Sequence, residues 1–203
     1  MSIRPLARRA LAVAAFALCA IAAAPAGAGG PEARQALERL AGTYASRAPE
    51  PWYGAWGTRE FGFRDSSWTL IFTLALDPGM QRPVFRFRTG GPYELRAASA
   101  TVPGAFDAVF FEDSKHVTLL AEDPALAQAF GLAGCGLVPG REKDVSVEGC
   151  ANWRPVAQCR EDHDLLALGA DGGLHFGRRP RDNDMCSAER RPSELLPAVY
   201  RRD

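Results

Sequence analysis

The sequence predicts a mainly β protein, an antiparallel meander that closes as a barrel or a sandwich. Three observations predict it. Apolar and polar residues alternate with period two in one segment after another. Turn residues recur roughly every dozen positions between those segments. Only two short stretches carry a helical spacing of apolar residues.

The elements follow in chain order. A short helix is expected near residues 31–41, with Leu37 and Leu40 on one face. Gly42-Thr43-Tyr44-Ala45-Ser46 reads as a first strand. Residues 58–64 alternate, with Phe61 and Phe63 opposite Glu60 and Arg64. Residues 67–76 set Trp68, Leu70, Phe72, Leu74 and Leu76 against Thr69, Ile71, Thr73 and Ala75. Residues 84–88 set Phe85 and Phe87 against Arg86 and Arg88, and 93–97 alternate again from Tyr93. Strands over 105–111 and 116–121 follow. The intervening Asp77-Pro78-Gly79, Thr89-Gly90-Gly91-Pro92 and Val102-Pro103-Gly104 are read as turns. A second short helix spans 123–130: Asp123 suits the N-cap, Pro124 the first helical position, and Gly131 the end.

The start of the chain has the pattern of a secretory leader. Arg4, Arg8 and Arg9 precede an apolar run from Ala10 to about Ala24, and Ala26-Gly27-Ala28 supplies small residues for cleavage after residue 28. The run is too short for a comfortable membrane span, and no later one is longer. Residues 29–203 are then one β-rich domain of 175 residues, periplasmic or secreted, without a transmembrane anchor. The full chain balances 24 basic against 24 acidic residues, and loss of three leader arginines leaves −3. Such a charge, scattered in sign, excludes an electrostatic case for nucleic acid.

Four cysteines remain, which in an exported chain argues for two disulfides. Cys135 and Cys150 lie symmetrically about Pro139-Gly140-Arg141-Glu142, and Cys159 and Cys186 about Ala170-Asp171-Gly172-Gly173. Each pair is read as flanking a hairpin, giving Cys135–Cys150 and Cys159–Cys186. A turn at Asp171-Gly172 would set His175 opposite Leu168, His163 opposite Pro180 and Glu161 opposite Asp182. That register keeps the histidines apart and leaves only a weak calcium candidate among Glu161, Asp162, Asp164, Asp182 and Asp184.

Other chemistry has little foothold. There is no G-x-S-x-G elbow, H-E-x-x-H pair, C-x-x-C pair or glycine-rich strand-to-helix turn, so no catalytic residue, metal or cofactor is expected. A conventional titrating centre would have to use His116, His163 or His175.

The order of several motifs resembles the adenomatosis polyposis coli down-regulated protein family. It runs Leu40, Gly42, Tyr44 and Ser46, then Arg59-Glu60-Phe61-Gly62-Phe63, Trp68, Asp77, Pro83 and Gly91-Pro92-Tyr93. It continues through Cys135-Gly136, Asp144-Val145-Ser146, Gly149-Cys150, Leu174-His175-Phe176-Gly177-Arg178-Arg179-Pro180 and Arg191-Pro192. The resemblance covers about residues 37–200, one copy of a domain that animal members carry twice and anchor to membranes. It implies a half-open, clamshell-like β-barrel with an apolar concave face, lipid binding and no catalytic residues. The family's cysteines after the first strand and before Pro83 are missing from Arg47-Ala48-Pro49-Glu50 and Gly79-Met80-Gln81-Arg82, which implies a looser mouth.

Together these readings predict a non-enzymatic, exported protein that holds a lipid or other hydrophobic molecule. The expected lining is Phe61, Phe63, Trp68, Leu70, Phe72, Phe85, Phe87, Tyr93, Phe106 and Phe110. The alternative is an envelope interaction module whose open face closes against a partner or a second copy as a homodimer.

Overall fold

The computed structural model describes residues 29–202; the leader, read over residues 1–28, lies outside the described residues. Helix α1 (Pro31–Glu38) starts on a proline at its first position, where a missing N–H costs nothing. Then come β1 (Gly42–Ser46), β2 (Glu50–Trp52), β3 (Ala55–Arg64), β4 (Ser67–Ala75), β5 (Pro83–Ala98), β6 (Phe106–Phe111) and β7 (Ser114–Leu119). Helix α2 (Pro124–Ala129) is capped by the Asp123 carboxylate, which accepts the Ala125 N–H. The chain ends through β8 (Glu142–Asp144), β9 (Glu161–Leu168), β10 (Leu174–Phe176) and β11 (Val199–Arg201).

The fold is an antiparallel β-barrel. Its pairing runs β3–β1–β11–β10–β9–β6–β5–β4 and back to β3, so eight strands close a ring. Two long strands belong to that ring over only part of their length. One edge of β3 pairs with β1 over Glu60–Phe63 and then with β2 over Ala55–Gly57. One edge of β5 pairs with β6 between Tyr93 and Ala98, and with β7 between Phe85 and Gly90. Beyond the ring the sheet runs β2–β3–β4–β5–β7–β8, and its outer strands β2 and β8 do not meet. The barrel is closed at one end and split at the other, as a clamshell is.

Each end has its own core. At the closed end Leu37 and Leu40 pack with Tyr44, Phe63, Tyr93, Phe106 and Val199. The Tyr93 hydroxyl donates to the Leu37 carbonyl at 2.8 Å, which ties α1 to the barrel. At the split end Trp52, Phe85, Phe87, Val117 and Leu119 pack with Ala127, Leu132 and Val145, which come from outside the ring. Both expected disulfides are present, Cys135–Cys150 and Cys159–Cys186. In the chain-entropy description each removes about 3–4 kcal/mol of freedom from the unfolded chain.

Three local expectations are corrected. Thr89-Gly90-Gly91-Pro92 is not a turn but the middle of β5, which runs unbroken for 16 residues. The glycines answer to crowding instead. A Cβ on Gly90 would sit 2.7 Å from the Trp68 carbonyl oxygen, and one on Gly91 would collide with the carbonyl oxygen of Phe111. Second, Cys135–Cys150 does not close a hairpin, because β8 pairs with β7 (Val117 opposite Lys143) and the bond secures a loop.

Third, the closing hairpin is shorter and shifted by one residue. The Gly169 N–H bonds to the Gly173 carbonyl, so Leu174 faces Leu168 and His175 faces Ala167. After Phe176 the chain leaves the ladder. His163 faces Val109 of β6 and donates its N–H to Met185, and Glu161 faces Phe111 instead of Asp182.

The crowding at Gly91 generates a stability test. Gly91→Ala should lower the unfolding free energy by about 1–3 kcal/mol, the usual penalty of overpacking against backbone. Gly134→Ala, where a Cβ meets nothing within 4 Å, should leave it within about 0.5 kcal/mol. Urea midpoints of the two variants against the parent measure the difference.

Candidate functional site

The split end holds a cavity of about 390 Å³. That volume is in the range that takes a small organic molecule. Its floor is the inward face of β3, β4 and β5: Phe61, Trp68, Leu70, Phe72, Leu74, Phe85 and Phe87. Along β4 the inward residues Trp68 and Leu74 are buried, but Leu70 and Phe72 between them are only partly buried. Since these two side chains point into the barrel, the space that exposes them is the cavity.

Segments outside the ring roof the floor. Phe130 follows α2, and Trp153 comes from the loop after Cys150; both line the cavity. Trp153 stacks on Phe87 at 4.7 Å with an interplanar angle of 6°, and meets Phe85 edge-on at 5.2 Å. Phe176, the last residue of β10, stacks on Phe61 at 3.9 Å. The exposed members of the lining are Tyr53, Ala129, Ala151, Asn152 and Arg181, so the opening lies among them. Tyr53 reaches across, its hydroxyl donating to the Pro180 carbonyl at 2.9 Å.

Gly57 shapes the floor by what it lacks. A Cβ there would lie 2.6 Å from the Phe72 ring and 2.7 Å from the Trp52 ring. The two rings fill that slot, 4.9 Å apart.

One wall is charged. Arg59 is in phase with Phe61 on β3, Glu112 with Phe110 past the end of β6, and Asp162 and Asp164 with Leu166 on β9, so all four point inward. Arg59 pairs with Glu50 at 2.9 Å and donates to the Pro197 carbonyl at 2.7 Å. Glu112 pairs with Lys115 at 2.8 Å. Asp162 takes both ends of the Arg179 guanidinium, at 2.6 and 3.0 Å. Asp164 accepts the N–H groups of Leu165 and Gly177 at Oδ1, at 2.7 and 2.8 Å.

The electrostatics follow from burial. Desolvation, reinforced by the neighbouring Asp162 charge, raises the Asp164 pKa from the usual 3.8 to about 7, against the opposing pull of Arg179 and the two N–H groups. Desolvation also raises the Glu112 pKa, with Asp162 adding to it and Lys115 opposing. Burial disfavours the charge on Arg179, but Asp162, with Asp164 and Glu112 behind it, more than offsets this and holds it protonated.

Seven of the ten expected lining residues border the cavity: Phe61, Trp68, Leu70, Phe72, Phe85, Phe87 and Phe110. Phe63, Tyr93 and Phe106 do not; they sit in the closed-end core. Period two marks which face a side chain takes but not how far along the barrel it lies. The sequence reading missed the charged wall, although Arg59 alternates in step with Phe61 and Phe63 and so was legible as inward. Trp153 and Phe130 lie on loops, which carry no such signal. None of the three histidines borders the cavity. Three of the five acidic residues of the calcium candidate are taken up by arginines, Asp162 by Arg179, Asp182 by Arg190 and Asp184 by Arg154, while Glu161 lies against His163 and Asp164 accepts backbone N–H groups. Among the described residues no group of His, Cys, Asp and Glu is placed to hold a metal ion.

A pH test follows. The folded protein keeps a proton on Asp164 that the unfolded chain releases, so this stabilising contribution is full below about pH 4 and lost as pH rises to about 7. Asp164→Asn keeps the acceptor at Oδ1 and removes the titration. The variant should exceed the parent by a few kcal/mol (about) at neutral pH and above, and by little near pH 4, in denaturant unfolding across that range. No protein-family model matches the chain and no curated protein matches it, so what the cavity holds must be judged from the chemistry of its own walls.

Proposed function

We propose that the protein is an exported binder of a lipid or other hydrophobic small molecule, carried in the cavity at the split end of the barrel, and that it is a single-copy relative of the adenomatosis polyposis coli down-regulated proteins. The observation that carries the reading is the pair Leu70 and Phe72, inward-facing side chains left only partly buried at the centre of an aromatic floor. Filling a barrel with its own side chains buries such residues fully; leaving them partly open forgoes a fraction of the roughly 1.5–3 kcal/mol that full burial of such a side chain contributes. A hydrophobic occupant recovers that burial.

Two further features support the reading. Two disulfides suit an oxidising compartment outside the cytosol. No helix among the described residues is long and apolar enough to cross a membrane.

Protein purified without detergent and sprayed under native conditions should carry a co-purifying hydrophobic mass. After that mass is removed, a neutral environment-sensitive dye such as N-phenylnaphthylamine should bind saturably. Leu70→Glu, which sets a charge on the floor, should weaken dye binding at least about tenfold, or ~1.4 kcal/mol, with an unchanged circular dichroism spectrum. Absence of any bound mass together with a dye signal that rises linearly would overturn the reading.

A further inference from the structure

The charges inside the barrel do not balance. Three acids are matched by three bases: Glu50 by Arg59, Glu112 by Lys115 and Asp162 by Arg179. Asp164 is the fourth acid. It is 4% exposed and borders the cavity, and no cationic side chain lies within ion-pair distance of its carboxylate among the described residues. Its Oδ1 is taken by two backbone N–H groups. Its Oδ2 has no hydrogen bond among the described residues, and Asp164 is one of the residues that line the cavity.

Resting on the reading of a hydrophobic cargo, we propose that the cargo is a hydrophobic cation, an amine or quaternary ammonium on an apolar body, whose positive charge is held by Asp164. The surroundings suit a cation. Gly177, which donates to Asp164, follows Phe176, and Phe176 packs 5.6 Å from Phe110 and 3.9 Å from Phe61. Ring faces attract ammonium groups most strongly where water is excluded. A buried carboxylate with no counter-charge is costly, and a cationic head removes that cost.

The same wall disfavours an anionic head. Arg179 is used bidentately by Asp162. Arg59 lines the cavity too, but its charge is already paired with Glu50, and its unpartnered Nε and Nη1 groups are enclosed. A carboxylate ligand would therefore meet Asp164 without a free guanidinium to receive it inside. Arg181, at the mouth, is the exposed arginine of the lining.

Binding should depend on pH, because a fixed cation needs Asp164 ionised. The charged groups near Asp164 are Asp162, two residues away on β9, and Arg179 on the segment after β10, with Glu112 acting on the same Arg179; Arg191 bonds the Asp164 main-chain carbonyl. Asp162, Glu112 and Arg179 are paired, and the histidines at 163 and 175 alternate to the outer face of their strands.

The test uses cargo-free protein and four ligands with the same dodecyl chain: the trimethylammonium, the primary amine, the alcohol and the carboxylate. Calorimetry at about pH 8 should rank both cations above the alcohol by about tenfold or more, with the carboxylate weakest. Affinity for dodecyltrimethylammonium should fall about tenfold or more between about pH 8 and about pH 5, and affinity for dodecanol should not. Asp164→Asn should abolish the cation preference and keep dodecanol binding, which also reports that it is folded. If dodecanoate binds tightest, or if the cation preference is independent of both pH and Asp164→Asn, the head group is assigned wrongly while the hydrophobic-cargo reading stands. If none of the four binds, both fall.

Discussion

The Glu112–Lys115 ion pair sits where the barrel divides. At this point the neighbour of β5 changes from β6 to β7, and the inward phase changes from even-numbered residues (Phe106, Ala108, Phe110, Glu112) to odd-numbered ones (Lys115, Val117, Leu119). A buried ammonium is tolerated only when its donors are satisfied. Lys115 has three acceptors: the Glu112 carboxylate at 2.8 Å, the Arg154 carbonyl at 3.0 Å and the Cys159 carbonyl at 2.7 Å. The last two anchor the loop that carries Trp153 over the cavity. One side chain thus joins the kink of the ribbon to the roof of the site. Removing it would leave Glu112 buried and unpaired, the more damaging way to break such a pair.

The rest of the split end follows from that division. Strand β7 and the segment after β8 carry Val117, Leu119 and Val145 into the second core. The gap between β2 and β8 is bridged by irregular segments, which loop chemistry and disulfides must hold in place. Cys135–Cys150 secures the segment before Trp153, and Cys159–Cys186 ties the start of β9 to the segment after β10 that brings Arg179 to Asp162. Covalent staples therefore stand where the hydrogen-bond ladder is missing.

Much of this was legible in the sequence, and the exceptions have physical reasons. Strands with clean alternation, such as Phe61/Phe63 and Trp68 to Leu74, emerged on the expected face. The cysteine pairing emerged too, although the hairpin inferred around Cys135 and Cys150 did not. Gly90 and Gly91 misled because glycine serves both turns and close approach, and only the neighbouring strands distinguish the two. The closing hairpin slipped by one residue because Gly169 to Gly173 offers several turn centres. The charged wall was hidden for a different reason. Arg59 and Asp164 follow the alternation, so their inward face was legible, but the groups that satisfy them there, Glu50 and the Pro197 carbonyl for Arg59 and the Gly177 N–H for Asp164, are brought together only by the tertiary fold.

Gly57 has a consequence for how such a protein can diverge. The Trp52 and Phe72 rings occupy the space where a side chain would stand, so the breadth of the chamber is set at a position that need not touch its contents. A single methyl there would collide with both rings. The breadth of the chamber and the charge of its wall are therefore set by different residues, so either can drift in the course of descent while the other is kept.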